Sequence, residues 1–296
     1  MQEDGRFDEV GTAGEVMWFL RRLEPQEVQK IPIYINYSPI TYDKESAKTI
    51  LTMFEGQIAD EFESGISLGD DENSLTVSLI YPHWRAGTLP LSSAISSFFP
   101  TAYESPRVKF TFIDELTKEK YDGWVVRSSN YVYGLTEWYQ SLELIPGSQV
   151  QLIRSKEPGK VIISANRKRP SREWIRTALV GADGGIVFAM LKQMVSASYN
   201  ERMAIAIPDV EILDKIWQHP QSQNRSLEKI VISMMRELSK LNPQGHVHVQ
   251  ELYAAVNIIR RCPPGPIASM LLTQPWSRHM GDLYFRLNEG SQEVNE

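Results

Sequence analysis

His246 and His248 flank a single valine, so on an extended strand both imidazoles would point to one face and could begin a metal site. No third ligand stands at a spacing that completes one, and the pair reads as surface or helix-capping histidines. Pro208-Asp209 is followed by Glu211, Asp214 and Lys215, the carboxylate and lysine types of a metal-assisted nuclease. That spacing suits one helix over Val210 to Trp217, capped by Asp209, and not two adjacent strands. Cys262, beside Pro263-Pro264, is the single cysteine and has no partner motif for nucleophilic catalysis. Asp183-Gly184-Gly185 reads as a turn, because it lacks the Lys-Ser/Thr that closes a phosphate loop. The chain therefore reads as non-enzymatic, with no metal or cofactor.

A second chemistry is polyanion contact. The chain has a net charge of −6, which argues against a protein that coats nucleic acid everywhere. Its charge is uneven. Up to Leu75 there are sixteen Asp/Glu against six Lys/Arg, whereas Arg154 to Arg176 holds eight Lys/Arg against only Glu157 and Glu173. Arg167, Lys168 and Arg169 are the densest part of this stripe, which reads equally as a localised phosphate contact or a solvated linker. One cysteine excludes an internal disulfide and fits a reducing, cytoplasmic setting. No apolar run approaches the ~20 residues of a membrane helix, and the acidic start Met1-Gln2-Glu3-Asp4 is unlike a secretory signal.

The elements that must position these residues give an α+β chain of two or three compact units. Residues 1–70 form an acidic α/β segment: a short helix around Met17–Leu20, a strand over Ile31, Ile33 and Ile35, and an amphipathic helix from Asp43 to Phe62. That helix carries Glu45, Glu55, Asp60, Glu61 and Glu63 on its polar face, a surface that repels phosphate and suits a scaffold or protein contact. Residues 71–170 alternate in short runs between Gly/Pro turns, as in a barrel or sandwich, with a short helix at Ser92 to Phe99. Residues 171–225 form a connector in which Trp174–Val180 and Ile186–Val195 flank Ala-Asp-Gly-Gly as a hairpin. A third strand over Met203–Ile207 and the Val210–Trp217 helix follow, and Gln218–Arg225 is the linker. Residues 226–290 read helix, short strand, helix, turn, helix, strand, and 291–296 are a tail.

The order over Ser226 to Asn288, closing on Tyr284-Phe285, resembles a winged-helix (helix-turn-helix) module. The resemblance implies that the helix from Pro266 to Leu272 is a recognition helix, presenting Ser269, Thr273 and Gln274 with no positive charge. It also places Arg260, Arg261, Arg278 and Arg286 near phosphates. Winged helices also dock proteins. The β unit resembles the plant B-three type of DNA-binding pseudobarrel, a barrel shared by restriction-enzyme recognition domains. The residues that carry this are Thr88-Leu-Pro-Leu91, Phe99-Pro100, Phe112-Ile-Asp114, Gly123-Trp-Val-Val-Arg127, Tyr131-Val-Tyr-Gly-Leu-Thr136, Trp138, Pro146-Gly-Ser-Gln-Val150 and Leu152-Ile-Arg154. This second resemblance implies two groove-gripping loops, His83-Trp84-Arg85 and Arg127-Ser128-Ser129-Asn130-Tyr131. In them Arg85 and Arg127 would meet phosphate or guanine, and Asn130 an adenine edge. By residue type, Trp84, Trp124, Tyr131, Tyr133, Trp138 and Tyr139 read instead as barrel core and rim. The resulting expectation is a regulatory protein, transcriptional or defence-related, that binds double-stranded DNA. The alternative is a protein-interaction scaffold using the winged helix and the acidic N-terminal region. No membrane partner is expected.

Overall fold

A computed structural model describes residues 4–12, 14, 16–53, 58–63, 73–102, 105–181, 184–219 and 225–288. At the N-terminus, β1 (Phe7–Glu9) pairs antiparallel with β2 (Trp18–Leu20), followed by a 3-10 turn at Arg21–Leu23 and α1 (Gln26–Gln29). The expected helix at Met17–Leu20 is thus a strand. Four apolar residues fit either period, and Phe7–Glu9 supplies a ladder. Ile31–Ile35 is a turn and not a strand, with Ile31 and Ile33 exposed and only Ile35 buried. Pro32 has no N–H for a ladder. The amphipathic helix is α2 (Lys44–Met53), which buries Ala47 and Ile50. It is shorter than expected, because residues 58–63 are not helical; Phe54 and Glu55 lie outside the described residues.

The central unit is a curled seven-stranded half-barrel. Its strands are β3 (Ser74–Ser78), β4 (Thr88–Pro90), β5 (Arg107–Asp114), β6 (Lys120–Val126), β7 (Tyr131–Tyr133), β8 (Gln149–Arg154) and β9 (Lys160–Ser164). They lie in the order β3-β8-β9-β5-β6-β7-β4, antiparallel except where β5 runs parallel to β9. β5 alternates strictly between half-buried and buried residues, which turns Val108, Phe110 and Phe112 into the barrel. Trp138 and Tyr139, on α5 (Thr136–Ser141), close that core. The α+β class and the pseudobarrel character are those read from the sequence. Between the strands lie α3 (Tyr81–Ala86) and α4 (Ser93–Ser96).

The basic run enters a long antiparallel hairpin of β10 (Arg167–Val180) and β11 (Ile186–Ala197). It is therefore strand from Arg167 onward and not linker. Ala182 and Asp183 of the hairpin turn lie outside the described residues. Met203–Ile207 forms no strand; a single bridge joins Ala206 to Thr177. α6 (Val210–Gln218) starts on Asp209, whose side chain accepts from the Ile212 N–H at 3.1 Å. Of the expected linker, Pro220 to Asn224 lie outside the described residues.

The C-terminal unit runs α7 (Leu227–Ser239), β12 (Val247–His248), α8 (Val249–Ile259), α9 (Pro264–Thr273), β13 (Ser277–Gly281) and β14 (Tyr284–Leu287). Its sheet has the order β12-β14-β13. The sequence reading has one closing strand where the structure has two. β13 is mostly exposed and lacks an apolar alternation that would signal it. One apolar core spans α2, the connector and this unit, and a second fills the half-barrel.

Candidate nucleic-acid interface

The first expected loop is not a loop. Pro82 in the first turn and Gly87 at φ 65° are start and stop signals of a short helix, α3, which carries His83, Trp84 and Arg85. His83 is buried, with Nδ1 2.9 Å from Thr88 Oγ1 and Nε2 3.1 Å from Glu61 Oε2. Trp84 donates its indole N–H to the Leu144 carbonyl at 2.6 Å. Arg85 is clamped by Asp214 through two hydrogen bonds of 3.0 and 2.7 Å, and its guanidinium lies over Tyr34. Burial pushes the Asp214 carboxyl up, but Arg85 and the Tyr34 hydroxyl outweigh it and hold the group below the usual range.

The second loop is a 3-10 turn, Arg127–Ser129, followed by Asn130 in the left-handed region at φ 54°. Arg127, Ser128 and Asn130 are exposed and Ser129 half-buried. Arg127 donates to the Ala102 carbonyl, and Tyr131 is buried with its hydroxyl on the Glu27 carbonyl. The two expected loops hold one exposed polar tip, around Ser128 and Asn130, and no cationic cluster.

The helix expected to read bases, α9, is packed along α2. Ser269 is buried and its Oγ accepts from the Asp43 N–H at 3.2 Å. The Gly265 N–H donates to Glu63 at 2.9 Å, and a Cβ on Gly265 would come within 2.5 Å of both Glu63 and Tyr42. Thr273 is exposed but bonds back to the Ser269 carbonyl, and Gln274 is the half-buried C-cap. Arg261, expected at phosphates, is fully buried. It bonds Asp60 at 2.7 Å, Glu61 at 2.9 Å and Asn257 at 3.2 Å, while Tyr253 donates to Asp60 at 2.6 Å. Asp60 and Glu61 are consequently interior ligands of an arginine, not part of a solvent-facing acidic surface. Burial pushes the Glu61 carboxyl up, yet Arg261 and His83 more than offset it and hold it at about 2. Arg260 donates to the Arg225 carbonyl at 3.0 Å, and Arg278 is exposed on β13.

The histidine pair also separates. His248 is buried as the N-cap of α8, with Nδ1 3.1 Å from the Gln250 N–H and Nε2 against Arg202. Burial and then Arg202 depress it to about 4. Cys262 is sealed, and burial pushes its thiol up to about 12, which removes it as a nucleophile. Among the described residues, no group of three or more His, Cys, Asp or Glu is arranged to hold a metal ion. No helix among them is long and apolar enough to cross a membrane.

Half of the basic run is neutralised within the fold. Lys160 pairs with Glu157, Arg167 with Asp114 at 2.5 Å, Lys168 with Glu173 at 2.6 Å and Arg176 with Glu251 at 2.7 Å. Arg169 and Arg172 are exposed and meet no carboxylate among the described residues. Register then places Arg172 opposite Met194, Trp174 opposite Lys192 and Arg176 opposite Met190 on one face of the hairpin. Trp174 is 62% exposed, Met194 51% and Met190 43%, and the Lys192 ammonium lies 5.4 Å from the Trp174 ring centroid. Nearer the turn the same face buries Phe188 and Ile186 in the main core; in the other half the opposite face is the buried one, through Ile175 and Val195, which leaves Trp174 and its neighbours facing out. Trp174 and Lys192 do not stand out in the linear sequence. The signal for them is register: counting outward from Val180 opposite Ile186 brings the two together.

A groove of about 820 Å3 lies beside Tyr34, Trp124 and Tyr133 and includes Arg85. Lys30 and Lys120 on its wall are matched by Glu27, Asp122 and Glu137, so it offers no net attraction to an anion. No protein-family model matches the chain, and no curated protein matches it either.

Proposed function

We propose that this protein binds DNA without catalysing a reaction on it, and that the exposed face of the β10–β11 hairpin around Trp174 is its contact surface. One observation carries the reading: Arg172, Trp174, Lys192, Met190 and Met194 share an exposed face on which, among the described residues, neither Arg172 nor Lys192 is paired with a carboxylate, the nearest ion pair being Arg176 with Glu251. Phosphate contacts supply most sequence-independent affinity, on duplex and single strands alike. The half-barrel, with its resemblance to the B-three type, and the C-terminal unit, read as a winged helix, act in this reading as the frame that holds the hairpin. With α9 covered by α2, the frame itself presents no base-reading helix. The role is regulatory and the setting cytoplasmic, in keeping with one buried cysteine.

The test is a mobility-shift titration with random-sequence DNA, duplex and single-stranded, at rising salt. Combined replacement of Arg169, Arg172 and Lys192 by alanine should weaken binding at least tenfold. It should also flatten the log–log salt slope by about 2 to 3. Absence of binding to every DNA at low salt overturns the proposal. A second reading, docking of a protein partner, is favoured by Leu179, Val187 and Leu191, which are exposed on the opposite face of the same hairpin.

A further inference from the structure

We infer that the hairpin face is built for single-stranded rather than duplex nucleic acid, with Trp174 as the platform on which an unpaired base stacks. The inference rests on the DNA-binding reading above and deepens it. A ribbon that reads a duplex needs Arg, Asn or Gln at its centre, because the grooves of paired DNA expose only base edges. The centre of this face is Trp174 with Met190 and Met194 beside it, side chains that make no bidentate pair with a base edge but offer a π surface and polarizable flanks. A duplex keeps the faces of its bases stacked on one another and has no use for such a surface. An unpaired strand exposes them.

The charges are placed to match. Arg172 precedes Trp174 by two residues, so the guanidinium and the ring project on the same side about 7 Å apart along the strand. Lys192 stands directly across from Trp174. A strand laid over the ring thus meets a cation ahead of the stacked base and another beside it, and Glu251, the acidic side chain that reaches this face at Arg176, is neutralised there. The ring has no interior role that would explain its size: at 62% exposed it belongs to none of the apolar cores, whereas its sequence neighbour Ile175 is buried against Val195 and Ala204. A tryptophan so exposed, between two cations that lack carboxylate partners among the described residues, is the arrangement that base stacking with phosphate contact requires. The large mixed-charge groove beside Tyr34 has neither property.

The experiment uses the full chain and fluorescein-labelled oligothymidylate of about 20 nucleotides, compared by anisotropy with a duplex of the same length. Oligothymidylate should bind at least tenfold more tightly than the duplex. Trp174→Ala should lower that affinity roughly 5- to 150-fold, the range for losing one stacked base, while Trp174→Phe retains most of it. Arg172→Glu with Lys192→Glu should weaken both ligands and reduce the salt dependence. Equal affinity for the two forms, unchanged by Trp174→Ala but weakened by the charge reversals, overturns the stacking inference and leaves the DNA-binding reading standing. No binding to either form overturns both. If instead Trp174→Ala abolishes a concentration-dependent self-association seen by sedimentation, the face is a protein contact and both fall. Unchanged thermal unfolding in Trp174→Ala separates each of these outcomes from misfolding.

Discussion

Arg261 and Arg172 carry the same guanidinium, one sealed among Asp60, Glu61 and Asn257 and the other facing water on the hairpin. The first ties three distant stretches together: residues 60–61, α3 through His83, and the turn after α8. The second touches no carboxylate among the described residues. An electrostatic footprint read from a sequence has to be reduced by the cations that the fold consumes, and here the reduction is large. Arg85, Arg167, Lys168, Arg176 and Arg261 all have internal carboxylates.

The comparison is broken most severely at Arg261. Arg261→Met keeps much of the volume but leaves two buried carboxylates without their cation, a change that costs about 3–5 kcal/mol. Urea denaturation should show the midpoint falling accordingly, whereas Arg172→Met should leave it in place. Adding Asp60→Leu and Glu61→Leu to Arg261→Met should restore part of the loss, since the penalty comes from orphaned charge rather than from a missing attraction. The same cluster has a pH signature. Glu61, held at about 2, has a folded value below its ordinary one, so its contribution is complete above about 4.5 and disappears as pH falls toward 2. Unfolding measured from pH 7 downward should lose stability over that acid window in the wild type. Glu61→Gln should flatten that part of the curve from a lower starting stability.

Why Arg261 reads as a phosphate ligand in the sequence is instructive. Its partners are some two hundred positions away, in a segment whose acids look like the polar face of a helix, and periodicity carries no information about that pairing. Local signals fare better. The alternation of β5, the apolar face of α7 and the Asp209 cap are each readable from a dozen residues or fewer, and each forms where expected. Failures fall where local preference is divided or absent. Trp18–Leu20 fits a helix or a strand, Ile31–Ile35 is broken by Pro32, and β13 has no apolar side to mark it. His83-Trp84-Arg85 departs for another reason: Pro82 and Gly87 are local helix signals, and a resemblance at the level of the barrel carries no information about them. Of the candidate interface, the cationic run is legible and the Trp174–Lys192 step is not, because it exists only once hairpin register is known.

A smaller effect distinguishes an interior histidine from the exposed arm. Both ring nitrogens of His248 face N–H donors, of Gln250 and of Arg202, so protonation is opposed from both sides. With a folded value of about 4 against an ordinary 6.5, the unfolded chain takes up the proton first, and stability falls as pH drops through 6.5 toward 4. His248→Asn keeps a competent N-cap and removes the titration. Denaturation midpoints at pH 7 and pH 5 should therefore differ less in the variant than in the wild type, and an equal difference would show that His248 does not govern this window.

The smallest expected change is on the hairpin itself. Arg172→Ala removes a side chain that meets no carboxylate among the described residues, so it should shift the unfolding free energy by no more than about 0.5 kcal/mol. Lys192→Ala also loses the exposed cation–π contact with Trp174 and should cost at most about 1 kcal/mol. A residue kept for the fold would behave as Arg261 does, and one kept for a ligand should be nearly silent in denaturation while changing binding. Should Arg172→Ala destabilise the chain by more than 1 kcal/mol, the hairpin cation would belong with the interior arginines, and the contrast between the two regions would disappear.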